Sequence, residues 1–370
     1  MQNFTKWIVI IIVIILIIAG GWYYGKGEDG IADGSIKVGI VVPLTGKNAE
    51  WGQRVQKGVD IALEQVGDKN VQVIYEDFGD SLERAASAAN KLITVDKVQV
   101  LFCQPSDACG AIAPIAQSNK VVILGFTNTP GFTKTGKYVF NMRGDAFDVG
   151  KMLGQFAVTK YKKAVIFYLN NPTQKGSHEG FAGAFRSGGG QVVLIDSHLD
   201  KDMDFRTVLA RAKAEQPDIL VFMSRVQNEV AMIKQARELG LNQPIIAGLG
   251  IDTKGFLDGS GTLAEDVIYP ASTLVKNVEK PILKEALIKY REKYNETMPV
   301  WTAESYDAIL LLNDAANKRL TDNDQIRDYL ITPKNFPGLA SNNNFNSDRL
   351  IIKSYSLFTV KNGQFVPLEQ

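Results

Sequence analysis

From residue 36 onward, short apolar runs alternate with stretches whose apolar residues recur at helical spacing. Ile36–Val42 reads as a buried strand. Gln53–Val66 reads as a helix, with Val55, Val59, Ile61, Ala62 and Leu63 on its apolar face. Strands follow at Val71–Asp77, Val98–Cys103 and Val121–Gly125, separated by helices at Leu82–Val95 and Ala108–Ser118. After Tyr138–Met142 the alternation starts afresh. Helices are expected at Phe147–Tyr161, Gly180–Gly188, Phe205–Glu215 and Glu229–Leu239, and strands at Ala164–Leu169, Gln191–Ile195, Asp218–Met223 and Pro244–Ala247. Two strong helices, Pro281–Tyr294 and Ala303–Lys318, come next. A β-rich tail, Leu350–Val360, then leads into a hairpin turn at residues 361–363. Such a β-α-β rhythm implies parallel sheets with helices on both faces. One sheet holding every strand would be unusually large, so the restart implies an α/β protein of two doubly wound lobes. A length of 370 residues suits two domains.

The N-terminal residues follow a different pattern. Trp7–Tyr24 is 18 residues without a charge, preceded by Lys6 and flanked by aromatics at both ends. As a helix it would span about 27 Å, close to the hydrocarbon thickness of a bilayer, with aromatics at the interfaces. Residues 1–24 are therefore expected to form a transmembrane anchor that meets the lipid bilayer through residues 7–24. A cleaved signal peptide ending near Ala19-Gly20-Gly21 and a buried core helix are the other readings. Anchor or signal, the segment sends residues 36–370 across the membrane. Residues 25–35 contain four glycines and read as a flexible linker.

Charge narrows the partners. With 41 Lys+Arg against 40 Asp+Glu and no basic block, nucleic acid is not an expected partner. Catalytic patterns are poor as well. The two histidines, His178 and His198, sit in neither nucleophile nor metal-ligand motifs, and no phosphate loop or nucleophile elbow occurs. No catalytic residue, metal site or cofactor is expected, and the chain does not read as an enzyme. The two cysteines, Cys103 and Cys109, fit neither a redox CxxC nor a zinc pair. A local disulfide and two buried thiols both remain open.

In open parallel sheets, ligands sit beyond the carboxyl ends of the strands. Three loops there carry polar or aromatic groups: Pro43–Gly52 with Trp51, Gln104–Ala108 with Gln104 and Ser106, and Gly125–Pro130 with Thr127 and Thr129. Hydroxyls and free backbone N–H groups at helix N-termini suit a carboxylate.

Residues 36–370 resemble the leucine/isoleucine/valine-binding protein family of type I periplasmic solute-binding proteins. The resemblance is carried by Ile36–Gly46, Trp51-Gly52 and Gly58–Ala62 at the start, and by Asp77-Phe-Gly-Asp80 with Ala85–Ile93. Ser106 with Ala111–Ala116, Asp204–Arg206, Gln235–Gly240, Ser305–Ile309 and Val360–Phe365 follow in colinear order. The resemblance implies that Trp51, Ser106, Thr127 and Thr129 are ligand contacts of the first lobe. In the second lobe this chain has Lys175 and Arg225 where the family carries aromatics, and Asp252 near the acid that meets the ligand's amine. The two basic residues imply a more acidic solute.

The implied organisation is lobe 1 from 36–145 plus 276–335 and lobe 2 from 146–275 plus 336–370. Three crossovers, near 142–146, 270–276 and 333–340, form the hinge. The implied function is an extracytoplasmic, monomeric solute-binding protein of an ABC-type importer. It would close on a small polar solute, an amino acid or a related carboxylate or amide, and deliver it to a membrane permease. A ligand-sensing receptor module is the alternative, and an enzyme on a small polar substrate the third reading.

Overall fold

A computed structural model describes residues 34–67, 69–275 and 278–369. The expected anchor at 1–24 and most of the linker lie outside them. Among the described residues, no helix is long and apolar enough to cross a membrane.

The chain opens β1 (Ile36–Val42), α1 (Ala49–Val66), β2 (Val71–Asp77), α2 (Leu82–Thr94), β3 (Val100–Cys103), α3 (Ser106–Ser118), β4 (Val122–Gly125) and β5 (Val139–Asn141). These strands form one parallel sheet in the order β2-β1-β3-β4-β5. Apart from Lys37 near the start of β1, the central strands are apolar because helices cover both faces. Cys103 and Cys109 form a disulfide, with Cα atoms 5.2 Å apart, joining the end of β3 to the first turn of α3.

The second unit runs α4 (Ala146–Val158), β6 (Lys163–Leu169), α5 (Pro172–Ser187), β7 (Gln191–His198), α6 (Arg206–Ala214), β8 (Ile219–Met223), α7 (Val226–Glu238), β9 (Ile245–Ala247), α8 (Lys254–Ser260) and β10 (Ile268–Ala271). The chain then returns to the first lobe through α9 (Pro281–Tyr294), α10 (Val300–Asn317) and α11 (Asn323–Ile331). It ends in β11 (Ser356–Lys361) and β12 (Gln364–Pro367). The second sheet has the order β12-β11-β10-β9-β8-β6-β7, parallel except for the last two strands. Asn362 and Gly363 both take positive φ, as a tight hairpin turn requires.

α5 begins eight residues earlier than the helical pattern suggests. Its first turns carry Gly176 and Gly180, residues that weaken an isolated helix. Packing explains them. A Cβ at Gly180 would stand 2.1 Å from the Phe147 carbonyl oxygen, and one at Gly150 1.9 Å from that of Ser177. Only glycine lets the backbones of α4 and α5 approach so closely. Three elements were not visible in the pattern: α8, β10 and α11. The last is held by a capping box between Asp322 and Gln325.

The last third of the chain divides differently from the expectation. Leu339, Ala340, Phe345 and Ile351 fill the first lobe's core beside α9, α10 and α11, so residues 336–351 belong to lobe 1. The reason is Asp307 on α10. Its buried carboxylate accepts the N–H groups of Leu339 (2.7 Å) and Ala340 (2.8 Å), drawing that segment in. Burial pushes the Asp307 pKa up to about 7 against those bonds. The final return to lobe 2 therefore falls at 352–355 and not at 333–340.

A buried ion triad sits where the crossovers meet. Glu304 on α10 accepts from Arg143 Nε (2.7 Å) and pairs with Lys353. Arg143 lies on the first crossover and Lys353 on the third. All three side chains are almost wholly removed from water. Removing one member of such a set leaves buried charge uncompensated. We predict that Glu304→Ala lowers unfolding stability by about 3–5 kcal/mol. Urea denaturation measures this, and a loss below about 1 kcal/mol would show that the triad does not hold the hinge.

Candidate functional site

In each sheet the strand order reverses once, between β1 and β3 in the first lobe and between β6 and β8 in the second. Loops leaving the carboxyl ends of such strands splay apart and open a crevice. The two crevices face each other across the cleft between the lobes.

The first-lobe wall begins with the loop after β1. Asp77 at the end of β2 accepts the N–H of Leu44 (2.8 Å), the N–H of Thr45 (3.3 Å) and the Thr45 hydroxyl (2.6 Å). It also accepts the N–H of Gly79 (2.8 Å). Asp80 takes the Lys47 N–H and the Asn48 amide, both at 3.1 Å. These carboxylates fix the loop that delivers Trp51, the third residue of α1. Gly52 follows because a Cβ there would meet the Pro43 carbonyl oxygen at 2.0 Å. Next along the wall lies a hydroxyl cluster. Thr127 Oγ1 stands 2.8 Å from Ser106 Oγ and 3.0 Å from Thr129 Oγ1, and accepts the Thr129 N–H at 3.0 Å. Ser106 opens α3, so unpaired N–H groups of that helix point the same way. Gln104 is buried beside it, and its Oε1 has no partner among the described residues.

The second-lobe wall meets this one directly. Thr173 Oγ1 on α5 lies 3.3 Å from Thr129 Oγ1, and Gly176 seats against Pro130. Arg225, at the N-terminus of α7, reaches over the Trp51 ring (5.4 Å to the centroid). It pairs with Asp200 (3.0 Å) and with Asp107 of the first lobe (3.6 Å). Glu229 on α7 is wholly buried. Its Oε1 accepts the N–H groups of Ser224 (2.7 Å) and Gly248 (3.2 Å), joining the loops after β8 and β9. Burial outweighs these bonds and pushes its pKa up to about 8.

Asp252 keeps exposed surface while protein atoms crowd around it inside the cleft. Its pKa is raised by loss of solvent, opposed by Arg54 and Arg143. Behind it, the Trp301 ring at the start of α10 faces the guanidinium groups of Arg143 (4.6 Å) and Arg54 (5.7 Å).

The structure thus brings Trp51, Gln104, Ser106, Thr127, Thr129, Arg225 and Asp252 to the cleft. No contact across the cleft is made by Lys175 among the described residues. That side chain is exposed on α5 and forms no ion pair or side-chain hydrogen bond among the described residues. Its neighbour Thr173 meets Thr129 of the first lobe, and Gln174 is buried, with Nε2 donating to the Ser224 carbonyl (3.4 Å). The sequence reading missed Arg54, Thr173, Gln174 and Trp301. Arg54 follows Trp51 by one helical turn, and that spacing was a usable signal.

The histidines are structural. His178 stacks on Tyr168 with centroids 3.9 Å apart, and burial lowers its pKa. His198 is engaged by Leu199 O through Nδ1 and by Ser224 Oγ through Nε2. Among the described residues, no cluster of His, Cys, Asp and Glu could hold a metal. A surface cavity of about 510 Å³ is lined by Lys318, Tyr329 and Lys334 at the far end of α10. One helix length, about 25 Å, separates it from Trp301.

Two α/β lobes of mostly parallel sheet, meeting at a polar cleft, are the architecture of a solute-binding protein. The periplasmic binding protein family model matches residues 35–364, and the chain belongs to that family. The Leu/Ile/Val-binding protein BraC3 of Rhizobium johnstonii is 23% identical over 354 residues, covering 92% of this chain and 95% of the relative. The Leu/Ile/Val/Thr-binding protein of Salmonella typhimurium is 26% identical over 300 residues, 76% of this chain and 80% of that one. Among solved structures, the leucine binding protein LivK of Thermotoga maritima superposes with a TM-score of 0.83 at 27% identity, covering 90% of this chain and 98% of that one. LivJ of Streptococcus pneumoniae, solved with isoleucine, gives 0.79 at 25% identity, covering 90% and 97%. The family consists of binding proteins and not enzymes, and it places the chain outside the cytoplasm. The Cys103–Cys109 disulfide suits that compartment.

The loop that presents Trp51 should respond to acid. Burial alone would raise the Asp77 pKa, but the Thr45 hydroxyl and three backbone N–H groups hold it down to about 2, against an ordinary 3.8. A depressed pKa contributes stability above about pH 4, lost as pH falls through 2. We predict that Asp77→Asn costs about 1–2 kcal/mol at pH 7, and that the gap to the parent narrows between pH 4 and pH 2. Urea midpoints across that range test this. A gap independent of pH would mean that the ionised carboxylate is not the source.

Proposed function

We propose that this chain is the extracytoplasmic receptor of an ABC-type importer, capturing a small polar solute by lobe closure and delivering it to a membrane permease. The observation that carries this reading is the hydroxyl cluster of Ser106, Thr127 and Thr129 at the N-terminus of α3, met across the cleft by Thr173. A carboxylate there would receive hydroxyl and backbone N–H donors together with the favourable end of a helix dipole. Trp51 would cover the solute's flat or apolar side, with Arg225 stacked behind it. Asp252, on the second lobe, would accept from a donor of the solute. The relatives named for leucine, isoleucine and valine support an amino acid or a close analogue. No bond is made or broken. The solute binds one open lobe and stabilises the closed form by its higher affinity for that form. We further propose that the receptor acts as a monomer.

A thermal-shift screen of the full chain in detergent tests the reading, using amino acids, dicarboxylates, short amides and aromatic acids at millimolar concentration. One class should stabilise the protein, by about 2.7 kcal/mol at a hundred times its dissociation constant. Ser106→Ala should then weaken binding by about 1.5–3 kcal/mol, and Trp51→Ala should also weaken it, each with little change in the melting of the unliganded protein. No response from any class, or unchanged affinity in both variants, would overturn the assignment.

We also propose that residues 7–24 remain as a membrane anchor, on the strength of an 18-residue uncharged run ending in aromatics. The mature protein should stay in the membrane fraction with its N-terminus intact. An N-terminal sequence beginning after Gly21 would refute this.

A further inference from the structure

The hinge side of the cleft has a chemistry that an aliphatic side chain would not need. Trp301 forms its floor, with Arg143 and Arg54 against the ring. The second lobe closes onto that floor through Gly250, whose φ is +92° and whose Cβ, if present, would stand 3.1 Å from Trp301 Cη2. Two residues further on, Asp252 brings an exposed carboxylate alongside both arginines without forming an ion pair to either. Arg143 is itself 6% exposed. Its Nε is committed to Glu304, while its Nη2 is buried and has no partner among the described residues. The first lobe therefore contributes donors to this corner, and the second lobe contributes an acceptor.

Resting on the reading of the cleft as a solute site, we propose that this corner selects a solute whose far end is a carboxamide. Such a group can accept from Arg143 through its carbonyl oxygen and donate to Asp252 through its NH2. Its carboxylate lies at the hydroxyl cluster. Asn128, between Thr127 and Thr129, donates from Nδ2 to the Gly144 carbonyl (2.7 Å), tying the loop that carries the cluster to the residue after Arg143.

Two alternatives fit less well. An aliphatic end would leave the buried Arg143 Nη2 still without a partner and would strip water from the exposed Asp252 carboxylate, a heavy desolvation penalty. A second carboxylate would meet Asp252 with like charge. It would also find no net positive field, because the charges around the cleft balance. Arg54 pairs with Glu50, Arg143 and Lys353 with Glu304, Arg225 with Asp107 and Asp200, and Lys47 with Asp200. With Asp252, that makes five basic and five acidic groups. A site built from paired donors and acceptors rejects a ligand lacking them far more strongly than an apolar pocket rejects a missing methylene.

Glutamine, glutamate and leucine share one α-ammonium carboxylate and differ only at the far end, so their affinities for the full chain isolate this corner. Glutamine should bind on the order of tenfold or more tighter than either of the others. Asp252→Asn replaces an acceptor with a group that can also donate. It should shift the glutamine-to-glutamate ratio toward glutamate by on the order of tenfold, with the melting of the unliganded protein unchanged. Leucine or glutamate binding as tightly as glutamine would overturn the carboxamide assignment while leaving the receptor reading intact. Equal loss of all three ligands in the variant would also overturn it, assigning Asp252 to the shared ammonium group. Binding of none of the three would rule out the carboxamide amino acid, and the broader screen decides the receptor reading separately.

Discussion

Glu304 is the residue on which the geometry of the clamp depends. A buried carboxylate must be paired, and this one is paired by two cations from different crossovers, Arg143 and Lys353. Asp307, three residues later on α10, gathers the backbone of residues 339–340. One helix of the first lobe therefore acts as the post to which the connecting segments are fastened. Because Arg143 is held at Nε, its guanidinium is fixed over Trp301 and its Nη donors are oriented. The hinge and the floor of the cleft share Arg143.

The rim is held differently. Arg225, Asp107, Asp200 and Lys47 are partly exposed, and ion pairs of that kind contribute little in water. They align the lobes on closing but do not drive it. The driving free energy must come from a solute that contacts both walls, since only differential affinity shifts such an equilibrium.

Much of the fold was legible because apolar periodicity reports burial directly. β2 could be placed to the residue, and α2 to within one. The first turns of α5 were hidden by their glycines, which serve close helix packing and weaken the local helical signal. The assignment of residues 336–351 failed for a similar reason, since the pull of Asp307 on that segment acts across more than thirty positions. In the site, the loops bearing Trp51, Ser106 and Thr127 were legible because strand ends at a reversal of sheet order are where side chains converge. Arg54, Arg143, Trp301 and Asp252 meet only through tertiary contacts. No single loop in the sequence announces that corner.

Glu229 has a kinetic consequence. Burial pushes its pKa up to about 8, and one of its oxygens anchors the loops after both β8 and β9. The second-lobe edge of the cleft is therefore assembled before any ligand arrives, so capture need not wait for loops to order or forfeit the entropy of ordering them. Release then requires the lobes to part as rigid bodies. The lifetime of the complex is set by how often the hinge opens, so this receptor would hold its cargo on the timescale of domain motion, not of loop fluctuation.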